Sequence, residues 1–386
     1  MGYAGSMKAH PLDEDLALVR QTCQRFARAQ IAPFVYEWEE AEAFPRALYG
    51  QAAAAGILGA GLPEALGGSG QDPLAPLVAA EALLEGGSTG VVAGLQSLGI
   101  AVPPILKLGT DEQQKRFIPP VIAGEQIAAL AITEPGTGSD VAGIRTRAVR
   151  DGERYILDGS KLFITSGMRA DRVTVLARTG EDAHGGLTFF VVERGMPGFT
   201  ASRALKKTGW RASDTAELSF DGVRVPAANR IGPEGSGFVA LMNSFVGERL
   251  ALAFMGHATA EIALRDAIAY AGEREAFGRP IGKFQVTKHK LARMATRTLA
   301  SRTLNYALAE RMRRGETPAA EVAMAKNFAA DVALEVTYEA VQIHGGMGYM
   351  RETRVERLAR DARLLPIGGG TTEVMNELIA RWGLGL

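Results

Sequence analysis

This sequence predicts an α+β chain laid out as helix, then sheet, then helix. Three observations carry that reading. Helical 3.6-residue periodicity dominates to about residue 125, period-two strand patterns fill the stretch from Ile127 to Ile231, and long helical patterns return from Gly237. The boundaries fall at 1–126 for an N-terminal α-helical domain, 127–232 for a middle β domain and 233–386 for a C-terminal helical bundle. A chain of 386 residues exceeds one ordinary core, which agrees with several domains.

Lys+Arg and Asp+Glu each number 43, so the formal charge is zero. Such a balance gives no case for nucleic acid or an anionic membrane surface as partner. The one cysteine, Cys23, has no partner for an intrachain disulfide, which fits a reducing compartment, and the cytoplasm is expected. Residues Met1-Gly-Tyr-Ala-Gly-Ser-Met7 lack the apolar core of a signal peptide, and either methionine serves as a start. Val91 to Leu106 is apolar but broken by Gly94, Gly99, Pro103 and Pro104, so it reads as packed helix and loop rather than a membrane span. No metal site is expected.

In order along the chain, Asp13 to Gln30 is amphipathic, with Leu16, Val19, Cys23, Phe26 and Ala27 on one side. Ala-rich helical segments follow at 47–58 and 74–85, separated by Gly61-Leu-Pro and Gly67-Gly-Ser-Gly70. Asp111 is the expected N-cap of a helix through Phe117, stopped by Pro119-Pro120. Tyr155-Ile-Leu-Asp-Gly-Ser-Lys-Leu-Phe-Ile-Thr165 reads as two strands around an Asp-Gly turn. Arg172–Ala177, Leu187–Val192 and Ala216–Val225 are further strands, and Ala325–Gln342 and Glu373–Trp382 are late helices.

Phe238 to Ala253 is helical, and Leu241, Phe245 and Leu252 mark an apolar stripe on which Glu248 also falls. Burial removes hydration from a carboxylate and favours its neutral form. That is how a weak acid becomes a general base near neutral pH. A buried Glu paired with a basic partner fits the same position.

Leu130-Ala-Ile-Thr-Glu-Pro-Gly-Thr-Gly-Ser-Asp140 is rich in turn residues and hydroxyls, and its glycines let backbone N–H groups approach a polar ligand. Phe163-Ile-Thr165, Arg274-Glu-Ala-Phe-Gly278, Gln285, Gln342-Ile-His-Gly-Gly346 and Gly369-Gly-Thr-Thr-Glu373 follow. In this order, from Leu12 to Arg381, they resemble the acyl-CoA dehydrogenase family of flavoproteins.

The resemblance implies a β-barrel or sandwich between two helical domains, with FAD bound between the sheet and the C-terminal helices. It implies that Leu130, Ile132, Thr133, Gly138, Ser139, Ile164 and Thr165 line the cofactor, with Phe163 against the ring where many relatives have Trp. Arg274, Gln285, Gln342, Gly345 and Gly346 match positions that reach the FAD of a neighbouring subunit in a homotetramer, a dimer of dimers; Phe277, Thr371 and Glu373 complete the cofactor-binding set. An Arg suits a pyrophosphate.

Most members carry the catalytic Glu just before Gly-Thr in the last motif, where this chain has Gly369. The isovaleryl-CoA and long-chain acyl-CoA dehydrogenases carry it on the earlier helix, within Glu-Arg-Leu, and Gly247-Glu-Arg-Leu250 matches that pattern. Glu248 is therefore the expected base, taking the α-proton of an acyl-CoA thioester while the β-hydrogen leaves as hydride to the flavin, giving a trans-2-enoyl-CoA. The Gly369 N–H, with a flavin ribityl hydroxyl, is the expected oxyanion donor. Ser139, Arg249, Gly368, Gly370 and Arg381 match substrate-facing positions, and an electron-transferring flavoprotein is the implied acceptor. Fatty acid β-oxidation or branched-chain amino acid catabolism is the implied setting.

Gly368 stands where many straight-chain enzymes have Tyr, so the sequence leaves room beside the reacting carbons, and branched and long straight acyl chains stay equally open. Two other readings remain: an oxidase or monooxygenase-like relative, and a catalytically silent CoA-binding member, the last suggested by Gly369.

Overall fold

The computed structural model describes residues 11–386. The choice between Met1 and Met7 lies outside the described residues. Helices α1 (Glu14–Phe26), α2 (Val35–Ala41), α3 (Ala47–Ala54), α4 (Ala75–Leu83), α5 (Thr89–Leu95), α6 (Leu98–Ala101), α7 (Pro103–Leu108), α8 (Asp111–Phe117) and α9 (Pro119–Ile122) form the N-terminal layer. Leu16, Cys23 and Phe26 are the buried side of α1, as its periodicity predicts, and Asp13 caps it by accepting from Leu16 N at 3.0 Å. The N-cap of α8 is Thr110 rather than Asp111. Thr110 is extended and forms a reciprocal capping box with Gln113, so Asp111 becomes the first helical residue.

Strands β1 (Ala128–Ala131), β2 (Arg147–Asp151), β3 (Arg154–Thr165), β4 (Arg172–Arg178), β5 (Leu187–Glu193), β6 (Phe199–Ala204), β7 (Thr215–Pro226) and β8 (Arg230–Ile231) make one eight-stranded sheet. Its order is β6-β7-β3-β2-β4-β5-β8, with β1 parallel to β4. Alternation decides which core each side chain enters. Val173, Val175, Phe190 and Val192 join the core of the sheet itself, whereas Leu176, Leu187, Phe189 and Val191 face the helices. Burial on both faces explains the unbroken apolar run of β5.

Tyr155–Thr165 is one strand, not a hairpin. Asp158-Gly159 forms an irregularity in the β3–β7 pairing between Leu157 and Gly159. Gly159 has φ +145, and a Cβ there would meet Thr146 Oγ1 at 2.6 Å. The glycine serves a bulge and a close backbone approach, the alternative meaning of glycine inside a strand.

The C-terminal domain contains α10 (Gly237–Glu273), a small hairpin β9 (Glu275–Ala276) and β10 (Arg279–Pro280), then α11 (Gln285–Arg313), α12 (Ala319–His344), α13 (Arg354–Ala362) and α14 (Thr372–Leu378). Val246, Leu250, Ala253 and Phe254 of α10 pack with Tyr306 of α11 and with Val322, Ala325 and Ala329 of α12. Gly256 lets the axes of α10 and α12 approach, since a Cβ there would lie 3.0 Å from Ala329 O. Among the described residues α10 is the one unbroken helix long and apolar enough to cross a membrane, and its packing against α4, α11 and α12 gives the same composition another cause.

Three elements from different domains meet at a buried polar clasp. Asp361 of α13 accepts from Trp210 N at 2.6 Å and Thr89 N at 3.1 Å, while Glu39 of α2 accepts from Ser88 Oγ at 2.6 Å. Burial, reinforced by Glu39, pushes the Asp361 carboxyl up to about 7. This clasp fixes α13, and hence the turn that follows it, against the other two domains.

Candidate active site

Glu248 lies in the fourth turn of α10. The fully buried positions there are Val246, Arg249, Leu250 and Ala253, while Phe245, Glu248 and Leu252 are half-buried. The stripe read from sequence therefore starts in the core at the fully buried Leu241 and runs to its rim at Phe245, Glu248 and Leu252, because the α11 and α12 side of the helix takes the deepest burial there. Rim position suits a group that must meet a ligand.

The turn after α13 brings Gly369 to this carboxylate. Gly368 N donates to Leu364 O at 2.9 Å and Thr372 N to Pro366 O at 3.0 Å, folding Pro366–Thr371 into a compact loop. Gly369 has φ +64 and Gly370 φ +101. A Cβ on Gly369 would lie 2.4 Å from Leu252 Cδ1 and 3.8 Å from Glu248 Oε1. Glycine is thus required here by backbone conformation and by space.

Two cations hold the turn. Arg249 Nε donates to Gly369 O at 3.3 Å, and Lys326 Nζ of α12 donates to Gly370 O at 2.5 Å. Among the described residues the Gly369 N–H has no hydrogen-bond acceptor. Loss of hydration pushes the Glu248 carboxyl up to about 7, against the opposing pull of Arg249 and then Lys326. Burial pushes the Lys326 ammonium down to about 8; Arg249 adds to this, and Glu248 and Glu373 oppose it. Thr371 caps α14 by accepting from Val374 N at 3.3 Å, with Glu373 in the first turn. Gly368 has only ordinary contacts, the nearest being Leu364 Cγ at 3.7 Å from a Cβ built there.

On the sheet side, β1 delivers Leu130 and the buried Ile132 into the apolar cluster that also holds Leu241, Phe245 and Leu252. Thr133 is half-buried, and Gly138 and Ser139 are exposed. A buried ion pair braces this loop: Lys161 Nζ donates to Ile132 O at 2.8 Å and to Glu134 Oε1 at 2.9 Å, and Leu162 N donates to Thr133 O at 2.8 Å. Burial pushes Lys161 down to about 8, with Glu134 opposing; burial would raise Glu134, but Lys161, Thr146 and Arg145 outweigh it and hold the carboxyl below its usual value. The β3–β7 register breaks between Lys161 and Ile164, and Phe163 sits there at φ +61 with 64 % of its surface exposed. A left-handed aromatic residue is strained, and such strain marks functional positions. Ile164 is buried and Thr165 pairs with Thr215.

A third group stands apart. Arg274, Phe277, Gln285, Gln342, Gly345 and Gly346 are all exposed, Phe277 by 93 % and at φ +54. The Tyr270 ring stacks on His344 at 4.4 Å, which brings the end of α10 and the Gly345 turn to the same end of the bundle. Among the described residues none of these six bonds to Glu248 or Gly369, and Arg381 is exposed without an ion pair.

Sequence reasoning missed Lys326, Lys161 and Glu134. A signal existed for Lys326: a lone cation within the apolar run Ala323-Met-Ala-Lys-Asn-Phe-Ala-Ala330 must either find a purpose or a partner. Lys161 sits at an inward-facing strand position.

The architecture and this site define a class, three-domain chains in which a dehydrated carboxyl stands between a sheet and a helical bundle. Three family profiles match in succession: "Acyl-CoA dehydrogenase, N-terminal domain" over residues 13–125, "middle domain" over 129–223 and "C-terminal domain" over 235–384. The chain is 39% identical over 367 residues to the long-chain specific acyl-CoA dehydrogenase, mitochondrial, of Sus scrofa, covering 94% of this chain and 85% of that protein. It is 37% identical over 376 residues to the isovaleryl-CoA dehydrogenase, mitochondrial, of Pongo abelii, covering 96% and 89%. The solved butyryl-CoA dehydrogenase of Megasphaera elsdenii superposes with a TM-score of 0.94 at 36% identity, covering 98% of this chain and all of that one (100%). The chain belongs to the acyl-CoA dehydrogenase family, FAD-dependent oxidoreductases that dehydrogenate acyl-CoA. The residues present fit the cofactor: a strained, exposed aromatic stands on the same strand as Thr165, and Thr133 is tied to the neighbouring Leu162.

Proposed function

We propose that this enzyme converts an acyl-CoA thioester to its trans-2-enoyl-CoA with Glu248 as the base. The observation that carries this reading is the juxtaposition of Glu248 with the Gly369 turn. A carboxyl poised near neutrality lies beside a turn whose Gly369 N–H nothing else in the described chain engages. Glu248 takes the α-proton, and the charge that develops moves onto the thioester oxygen. The Gly369 N–H donates to that oxygen, an interaction worth about 3–4 kcal/mol of barrier. Arg249 holds Gly369 O and thereby orients the donor.

FAD, when bound, supplies the two-electron oxidant for the β-carbon. Phe163, Thr133 and Thr165 would face its ring, with Leu130, Ile132, Gly138, Ser139 and Ile164 shaping the wall and Thr371 and Glu373 closing the other side. Arg274, Phe277, Gln285, Gln342, Gly345 and Gly346 would reach the cofactor of a neighbouring subunit in a homotetramer, which accounts for their exposure in one chain. Ser139, Gly370 and Arg381 complete the surface offered to the CoA thioester. Electrons then pass to an electron-transferring flavoprotein, in the cytoplasm. Room at Gly368, where a Cβ would meet only Leu364 at ordinary distance, favours a branch at the β-carbon, in keeping with the relative named for isovaleryl-CoA.

Anaerobic titration of the FAD-loaded protein with a panel of branched and straight acyl-CoAs tests this. The flavin absorbance bleaches with the true substrate class. No bleaching with any of them overturns the reading, and fast reoxidation of the reduced enzyme in air overturns the assignment of acceptor.

A further inference from the structure

Lys326 is almost fully buried, 1 % exposed, in an alanine-rich turn of α12. It forms no ion pair with any described residue; its one hydrogen bond goes to Gly370 O at 2.5 Å. A buried ammonium without a contacting carboxylate is costly, and a neutral donor would hold the carbonyl as well. Stability therefore does not account for a lysine here. The groups that share its field do. Glu248 and Arg249 reach it from α10, and Glu373 from α14. Glu248 in turn feels only Arg249 and Lys326 among charged neighbours.

We propose that Lys326 is a positioning residue of the active site: it fixes the Gly369–Gly370 turn through Gly370 O and brings a positive charge to the space that this turn shares with Glu248. Two cations on opposite flanks divide the labour. Arg249 holds the Gly369 carbonyl and Lys326 the Gly370 carbonyl, which restrains the backbone that follows the Gly369 N–H. The charge of Lys326 also opposes, together with Arg249, the dehydration that raises Glu248. This rests on the reading of Glu248 as the base.

The test uses the FAD-loaded enzyme and single-turnover flavin reduction by acyl-CoA between pH 5.5 and 9. Lys326→Gln retains a donor for Gly370 O and removes the charge; Lys326→Met removes both; Lys326→Arg keeps the charge. The apparent pKa of the reductive rate moves up by about one unit in Lys326→Gln, so the rate falls about tenfold at pH 6 and far less at pH 8.5. Lys326→Arg restores the original profile, and Lys326→Met adds a pH-independent loss from the loosened turn. A Lys326→Gln profile that superimposes on the parent overturns the proposal, as does an equal loss at every pH in Lys326→Gln. Should Lys326→Met fail to fold, the Gln and Arg variants still decide. Glu248→Gln measured in parallel separates the two claims: parental reduction there defeats the base assignment, whereas an inactive Glu248→Gln with an unshifted Lys326→Gln defeats only the role of Lys326.

Discussion

Glu248 and Gly369 face each other across one small space: a side chain on Gly369 would begin 3.8 Å from Glu248 Oε1. In the proposed reaction the base comes from α10, and the late-turn position, here a glycine, contributes its backbone N–H. Leu252, 2.4 Å from that same Cβ, fills the volume that a late-turn side chain would need.

Moving the base back should therefore require two changes. Gly369→Glu in a Glu248→Gly background must accept φ +64 and displace Leu252. Flavin reduction should stay near the level of Glu248→Gly alone, and Leu252→Ala added to the pair should raise it about tenfold or more. Equal rates with and without Leu252→Ala would show that Leu252 is not the obstacle.

Gly368→Tyr tests substrate shape. A Cβ there meets only Leu364 at ordinary distance, so the ring can enter without breaking the turn. We expect kcat/KM for a β-branched acyl-CoA to fall relative to a straight chain of equal length by about 10- to 100-fold, the range that apolar pockets impose per methyl group. Equal losses for both substrates would mean that the glycine serves only the turn.

Lys161→Met leaves the Glu134 carboxylate buried without its cation, though still accepting from Arg145 N at 2.8 Å and Thr146 N at 2.9 Å. Removing one partner of a buried pair costs about 3–5 kcal/mol. Urea unfolding of the FAD-loaded variant should show this loss, with weaker FAD retention because Ile132 O loses its tie to β3 and only the Leu162 N to Thr133 O bond remains. Adding Glu134→Gln should recover part of it. A loss below about 1 kcal/mol would contradict the account.

Glu248 also makes stability pH-dependent. Its folded value near 7 lies above the unfolded 4.5, so the folded state holds the proton more tightly. Its contribution is fully present below pH 4.5 and is lost as pH rises through 7. Glu248→Gln should therefore raise Tm by about 2 °C or more at pH 8 and leave it nearly unchanged at pH 4.5. A larger gain at low pH would reverse the sign and refute the dehydrated carboxyl.

Much of this was legible in the sequence, for physical reasons. Periodicity separated the helical and sheet stretches because each face buries one kind of residue. Glu248 was visible as a charge on an apolar stripe, although of that stripe only Leu241 is fully buried and Glu248 lies with Phe245 and Leu252 at the rim. The Asp158-Gly159 pair misled because a bulge and a turn both call for glycine, and only the β7 partner distinguishes them. Lys326 and Lys161 were hidden for another reason. Their meaning depends on carbonyls that are distant in sequence, Gly370 O and Ile132 O, and no local pattern encodes that meeting.

The most direct measurement is stopped-flow reduction of the FAD-loaded Glu248→Gln enzyme by saturating acyl-CoA under anaerobic conditions. Removal of a general base at this step predicts full FAD content, unimpaired acyl-CoA binding and a reductive rate lowered by a factor on the order of 100 to 10,000. Reduction at close to the parental rate, with the flavin still bound, would contradict the assignment of Glu248 as the base.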